Sequence, residues 1–137
     1  MKTLSKKNPY YISKYRKLEL MYFCRQYPEW KEQLKTMTGD ITSSIITVNK
    51  DKRLLNLIEK TIEKREYYVK CIERVEKAAR MLRDNRGEPL CESLMGDILY
   101  AAIYGVKYSR LTAKHRVCCG ERQFYEYLRQ FYYILDS

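Results

Sequence analysis

Residues 52–86 read KRLLNLIEKTIEKREYYVKCIERVEKAARMLRDNR, and this stretch decides the fold class. Its apolar side chains recur at intervals of three, four and seven residues, which is the spacing of one face of an α-helix. The spacing predicts a single amphipathic helix, spanning roughly 50 Å at the helical rise per residue. The residues of this apolar stripe are Leu55, Ile58, Ile62, Val69, Ile72, Val75, Ala79 and Leu82.

Such a long helix needs a partner along its apolar stripe, because the core of a chain of 137 residues is too small to cover it. We expect either a helical hairpin within one chain or a coiled coil with a second subunit. The coiled coil would make the protein a homodimer, which is the oligomeric state we predict. The glutamates and lysines that alternate along the stretch are typical of a solvated face. The residues predicted to form the subunit interface are Leu55, Ile58, Ile62, Tyr68, Val69 and Ile72.

Towards the N-terminus the pattern predicts two shorter helices. The first covers residues 9–25, with an apolar stripe at steps of four, three and four that consists of Tyr11, Tyr15, Leu18 and Tyr22. Pro28 favours a bend at Tyr27 and the start of a second helix, which Gly39 is expected to end. Residues 39–51 mix turn and β-branched residues, so we interpret them as a loop or a short extended piece.

Towards the C-terminus, the sequence Asn-Arg-Gly-Glu-Pro at residues 85–89 is expected to end the long helix. It predicts a boundary between an oligomerisation section, residues 1–88, and a second section, residues 89–137. Three helices are expected in the second section, near residues 90–105, 108–115 and 120–136. Only 5 Gly and 3 Pro occur in the chain, and an all-α fold follows.

The charge of the chain indicates the kind of partner. Lys and Arg total 27 against 17 Asp and Glu, a formal charge of +10. Such an excess favours a polyanion, with nucleic acid ahead of an anionic membrane. Much of it lies in residues 1–38, whose lysines and arginines form either a second contact to the nucleic-acid backbone or a solubilising tail.

The cysteines suggest neither a metal site nor a disulfide framework. There are 5, an odd number, and none are spaced as CxxC. We therefore expect reduced thiols in the cytosol and no metal or other cofactor. The basic N-terminus lacks the apolar core of a signal peptide, and no run of about 18 apolar residues predicts a membrane span. The expected location is the host cytoplasm, with no membrane partner.

The last helix carries two different faces. Phe124, Leu128, Phe131 and Leu135 are spaced to form a core stripe. The other face suits the major groove of double-stranded DNA, where Arg pairs with guanine, Gln with adenine and Glu with cytosine. It is equally compatible with an ordinary solvated face of a helix that only closes the core. The base-contact candidates are Arg122, Gln123, Glu126 and Arg129.

The short helix before it is basic and contains no acidic residue. Its cations suit phosphate contacts, which supply affinity without reading sequence. Tyr108, Ser109 and Thr112 are expected to add hydroxyl donors to the same strand. The phosphate-contact candidates are Lys107, Arg110, Lys114 and Arg116.

The chain lacks the usual residues of an enzyme. It contains 1 His and no Gly-rich phosphate loop, nucleophile elbow or cluster of metal ligands. That histidine, His115, stands between Lys114 and Arg116, which favours a phosphate contact or simple exposure over catalysis. We predict that the protein is not an enzyme.

Two segments resemble the RinA and ArpU type of phage late-gene transcription activators. KLELMYFCRQYPEWKEQL is similar to the opening helix of that family, through Tyr27, Pro28 and Trp30 together with Gln33 and Leu34. GERQFYEYLRQFYYIL resembles the recognition helix of its sigma-region-4-like helix-turn-helix. The resemblance implies a cytoplasmic activator that binds a phage promoter and contacts host RNA polymerase.

These observations predict a sequence-specific DNA-binding regulator of transcription from a phage or mobile element. Paired tyrosines such as Tyr67 and Tyr68 support an alternative, since Tyr is enriched at protein interfaces. In that alternative the chain is a phage-encoded helical interaction module, an inhibitor or assembly adaptor that does not read DNA. RNA binding through Tyr stacking is weaker, because no RNA-binding module is recognisable.

Overall fold

A computed structural model of the chain describes residues 8–47 and 52–137, and the prediction of an all-α fold is confirmed for them. Only an isolated bridge between Arg83 and Pro89 pairs extended backbone within this part. The helices are α1 (Lys14–Arg25), α2 (Tyr27–Thr47), α3 (Lys52–Arg80), α4 (Glu92–Tyr104), α5 (Tyr108–Lys114) and α6 (Glu121–Asp136).

The chain forms two compact units. Unit 1 contains Met1–Gln26 and Arg74–Ser137, and unit 2 contains Tyr27–Glu73. The boundary predicted between residues 88 and 89 falls inside unit 1, and its functional meaning stays a prediction.

In unit 1, α1 packs against α4 and α6, and α6 also contacts α4 and α5. The core between these helices is built from large apolar side chains, of which Phe124, Phe131 and Ile98 are fully buried. Burying side chains of this size contributes roughly 1.5–3 kcal/mol each, so the packing of α6 is a main source of stability. Leu128 is only half-buried, while Tyr127 and Tyr132 join the core beside the predicted stripe.

The first helix begins later than predicted. Residues 8–11 form a turn in which the Tyr11 amide donates to the Asn8 carbonyl, and Ser13 then caps α1 by accepting the Arg16 amide. The predicted tyrosine stripe is also wrong, because Tyr15 is 75% exposed and Tyr22 68%. The buried residues of α1 are Leu20 and Cys24. Burial raises the pKa of the Cys24 thiol to about 12, since the thiolate would lose its hydration.

The second helix starts at Tyr27, and Gln26 forms the break that was predicted at Tyr27. It does not end at Gly39 but continues to Thr47, so the predicted loop is wrong for residues 39–47. A glycine inside a helix costs about 1 kcal/mol relative to alanine, which neighbouring helical hydrogen bonds outweigh. Residues 48–51 of the predicted loop lie outside the described residues.

The long helix ends at Arg80 rather than Arg86. The carboxylate of Asp84 accepts the amides of Arg86 and Glu88, and these local bonds compete with helix formation. Gly87 lies in this turn with φ of 78°, a left-handed conformation that favours glycine. The predicted role of residues 85–89 as a turn is therefore confirmed, although the helix stops before it.

Candidate functional site

The beginnings of α5 and α6 are joined by specific contacts. The Tyr108 hydroxyl donates to the Cys119 carbonyl at 2.7 Å, and the Tyr108 amide donates to the Tyr125 hydroxyl at 3.2 Å. The Tyr108 ring also packs on Phe124, with ring centroids 5.4 Å apart. Residues 115–120 connect the two helices, and Gly120 occupies the N-cap of α6. These contacts fix the start of the short helix on the start of the last one.

The four phosphate-contact candidates all lie at the surface of this helix pair. Lys107 occupies the N-cap of α5, Arg110 and Lys114 lie on the helix, and Arg116 follows it. All four are exposed, and none forms an ion pair with another described residue. We call these four residues the basic cluster. Two of the hydroxyls expected beside it are already in use, because Thr112 donates to the Ser109 carbonyl and Tyr108 to Cys119.

The four base-contact candidates share the exposed face of α6, a name we use for Arg122, Gln123, Glu126 and Arg129. Arg122 is exposed and the other three are half-buried. Arg129 Nη1 donates to Glu126 Oε2 at 2.9 Å, so these two charges partly neutralise each other. Beside this face runs an open groove lined by Asn8, Gly120, Glu121, Arg122, Gln123 and Glu126.

Asn8 belongs to the N-terminal segment, residues 8–17, which lies against α6. Gln130 Nε2 donates to the Tyr10 hydroxyl at 2.9 Å, and the Tyr10 ring makes an edge contact with Tyr133 at 5.8 Å. Gln130 Oε1 also accepts the Arg83 amide at 2.8 Å. Sequence reasoning did not find this contact, because no local pattern links residues separated by 120 positions.

The same segment approaches α6 through α1. Arg16 forms a salt bridge to Asp136, and the hydrogen bond between them raises the pKa of the arginine. The next residue, Lys17, is half-buried. Burial, followed by the nearby Arg129 guanidinium, lowers the pKa of the Lys17 ammonium group. Lys17 thus carries its charge at a partly buried position of α1, beside the Arg16 salt bridge to α6.

His115 is exposed, and its ring contacts a carboxylate of another helix. Its Nε2 atom lies 2.7 Å from Asp97 Oδ1, and Asp97 is a buried residue of α4. The other carboxylate oxygen, Oδ2, is buried without a hydrogen-bond partner. This pair connects the end of α5 to α4. Nearby, burial raises the pKa of the Cys119 thiol, with Cys118 and Asp97 adding to the effect.

The predicted subunit interface on α3 is only partly exposed. Leu55 and Ile62 are 44% and 38% exposed, whereas Ile72 is buried. Ile58, Tyr68 and Val69 are half-buried. The residues near the start of α3 thus remain the ones with apolar surface available to a partner.

The described residues contain no group of three or more His, Cys, Asp or Glu side chains that would hold a metal ion. None of the helices in residues 8–47 and 52–137 is both long and apolar enough for a membrane span. No protein-family model, curated protein or solved structure matches the chain.

Proposed function

We propose that the protein is a sequence-specific DNA-binding regulator of transcription, with α5 and α6 acting as a helix-turn-helix. The observation that carries the proposal is the surface shared by these helices. The basic cluster is exposed and unpaired among the described residues, and it lies beside a last helix whose opposite side is buried in the core. A helix anchored in this way presents a fixed set of polar side chains, as a recognition helix requires.

The two halves of this surface have different roles. Lys107, Arg110, Lys114 and Arg116 contact phosphates, which orient the protein and give salt-dependent affinity. Arg122, Gln123, Glu126 and Arg129 contact base edges in the major groove. Glu126 and Arg129 are paired with each other, so their base contacts require this ion pair to open, whereas Arg122 is exposed and forms no such pair among the described residues.

The resemblance to RinA and ArpU activators extends the proposal to the regulated system. The protein would activate transcription of a phage or mobile element in the host cytosol and contact host RNA polymerase. It would bind as a homodimer formed through α3, with the coiled coil or hairpin placing two recognition helices on one operator.

The proposal is tested by fluorescence titration of the protein with labelled random duplex DNA at two salt concentrations. The same titration is done with the double variant Arg122→Ala, Arg129→Ala. We expect binding that falls steeply with salt, and a variant that binds roughly tenfold more weakly.

The matched control is Lys60→Ala, Lys64→Ala, which removes two positive charges from exposed positions of α3 opposite its apolar stripe. It should bind within about twofold of the parent protein, because surface charges away from the interface act only through screened fields. Absence of duplex binding by the parent, or equal losses in both double variants, would contradict the proposal.

Exposed tyrosines favour one alternative, a helical protein-interaction module. Tyr67 is 57% exposed, Tyr15 and Tyr22 are more so, and Tyr residues are enriched at protein interfaces. In that case Tyr67→Ala would abolish capture of the protein target, whereas the arginine double variant would leave it intact. If the protein is a DNA-binding regulator, the arginine double variant should lose duplex binding and Tyr67→Ala should keep it.

A further inference from the structure

The N-terminal segment is held on α6 at two points. Tyr10 contacts Gln130 and Tyr133, and Arg16 forms a salt bridge with Asp136. The segment therefore lies beside the exposed face of α6 as part of the folded unit 1. Its polar side chains occupy defined places relative to that face.

Two of these side chains lie at opposite edges of the exposed face. Successive helical residues are about 100° apart, which places Gln123 and Gln130 along one edge and Arg122 and Arg129 along the other. The segment approaches the first edge through Tyr10, beside the groove that Asn8 helps to line. Lys17, on α1, follows Arg16, whose salt-bridge partner Asp136 lies two helical turns beyond Arg129 along the second edge.

We propose that the N-terminal segment is part of the nucleic-acid surface, with Asn8 and Lys17 contacting phosphates on either side of the exposed face of α6. This inference rests on the proposed function. It assigns a binding role to α1 and to the turn before it. Tyr10 is a positioning residue, since it holds Asn8 at the groove without itself contacting DNA.

The available hydrogen-bonding groups fit phosphate. Asn8 Oδ1 accepts the Tyr10 amide at 2.9 Å, which orients the side chain, and its amide nitrogen can donate to a phosphate oxygen. The ammonium group of Lys17 also only donates. Phosphate oxygens only accept, and their negative charge relieves the repulsion between Lys17 and Arg129. Arg16 is different, because its guanidinium is already paired with two carboxylates, those of Asp136 and Glu19.

The experiment compares two substitutions in the full chain by the same duplex titration. Lys17→Met keeps the length of the side chain and removes its charge. Asn8→Asp keeps the oxygen that accepts the Tyr10 amide but replaces the donors with a negative charge. We expect each variant to bind roughly three- to tenfold more weakly, with the salt slope of Lys17→Met lower by about 1.

Matched controls make the same chemical changes in unit 2, at exposed positions. Lys35→Met and Asn56→Asp should bind within about twofold of the parent. Thermal melting separates folding from binding, because Lys17→Met removes a half-buried charge beside Arg129. Its melting temperature should equal or exceed that of the parent, while its DNA affinity falls.

Tyr10→Phe is a third variant for the same duplex titration. It removes the hydroxyl that accepts from Gln130 and keeps the ring against Tyr133, so it should weaken binding less than Asn8→Asp.

The outcomes distinguish this inference from the proposed function. If Lys17→Met and Asn8→Asp bind like their controls while the Arg122 and Arg129 double variant binds weakly, the inference is wrong and the proposed function stands. If the parent does not bind duplex DNA, both are wrong.

Discussion

At the residue scale, Asp97 is a buried carboxylate with a single hydrogen-bond partner among the described residues. His115 contacts Oδ1, and Oδ2 has no partner. Burying a charged group is costly unless another group compensates it, so His115 offsets part of the cost of placing Asp97 inside unit 1. The pair also ties the end of α5 to α4, next to Lys114 and Arg116 of the basic cluster.

We predict that His115→Ala lowers the free energy of unfolding by about 1–3 kcal/mol, because it leaves a buried carboxylate without its partner. The double variant Asp97→Ala, His115→Ala should lose less than the sum of the two single variants, since both ends of the interaction are then absent. Urea denaturation measures each value.

Lys114→Ala is the control for this cycle, because Lys114 is the exposed neighbour of His115. Its change should stay within about 0.5 kcal/mol. Additive effects of the Asp97 and His115 substitutions would show that the two side chains do not stabilise each other.

At the scale of elements, Gly105 at the C-cap of α4 cannot be replaced without strain, whereas Gly96 within the helix can. Gly105 ends the helix at φ of 66°, and a Cβ added there would collide with the Arg25 guanidinium. Gly96 lies within the helix, and a Cβ added there would meet no atom within 4 Å. Arg25 belongs to α1, and its Nε atom also donates to the Ala102 carbonyl at 3.4 Å. The end of α4 thus requires glycine for its backbone conformation, and a larger residue there would also displace the Arg25 guanidinium.

We predict that Gly105→Ala lowers the free energy of unfolding by about 1–3 kcal/mol, combining left-handed strain with displacement of Arg25. Gly96→Ala, on the same helix, should raise it by about 0.5–1 kcal/mol, because alanine loses less backbone entropy in a helix. Denaturant unfolding followed by circular dichroism gives both values. Equal effects of the two substitutions would contradict the assignment.

At the scale of the whole molecule, the proposed homodimer depends on apolar surface near the start of α3. Leu55 and Ile62 are exposed there, on one side of the helix. Exposed aliphatic side chains on one helix are often covered by another subunit. The charges along the same helix would keep the free subunit from nonspecific association.

We predict that sedimentation equilibrium gives twice the chain mass of 16.6 kDa at micromolar concentration. Ile62→Glu should shift the protein towards monomer and weaken DNA binding, because a buried glutamate at a dimer interface is costly. Lys60→Glu introduces the same side chain about 200° around the helix from Ile62. It should leave the mass of the dimer in solution unchanged. A monomer with full DNA affinity would contradict the dimer proposal.

The sequence by itself determined the fold class and the limits of the C-terminal helices. Apolar residues at helical spacing predicted an all-α chain. Gly105 marked the end of α4, and Gly120 marked the start of α6. These features depend on interactions between near neighbours along the chain. The eight DNA-contact candidates were chosen in the same way, and their surface positions suit that role, which the titration will test.

Only the tertiary structure decided which faces are buried and which distant residues meet. Tyr15 and Tyr22 fit a helical stripe but are exposed, because α4 and α6 pack on the face of α1 that carries Leu20 and Cys24. The contacts of Tyr10 with Gln130 and of Asp97 with His115 join residues far apart in sequence. Such contacts form when the helices pack together, so the spacing of residues along one helix cannot predict them.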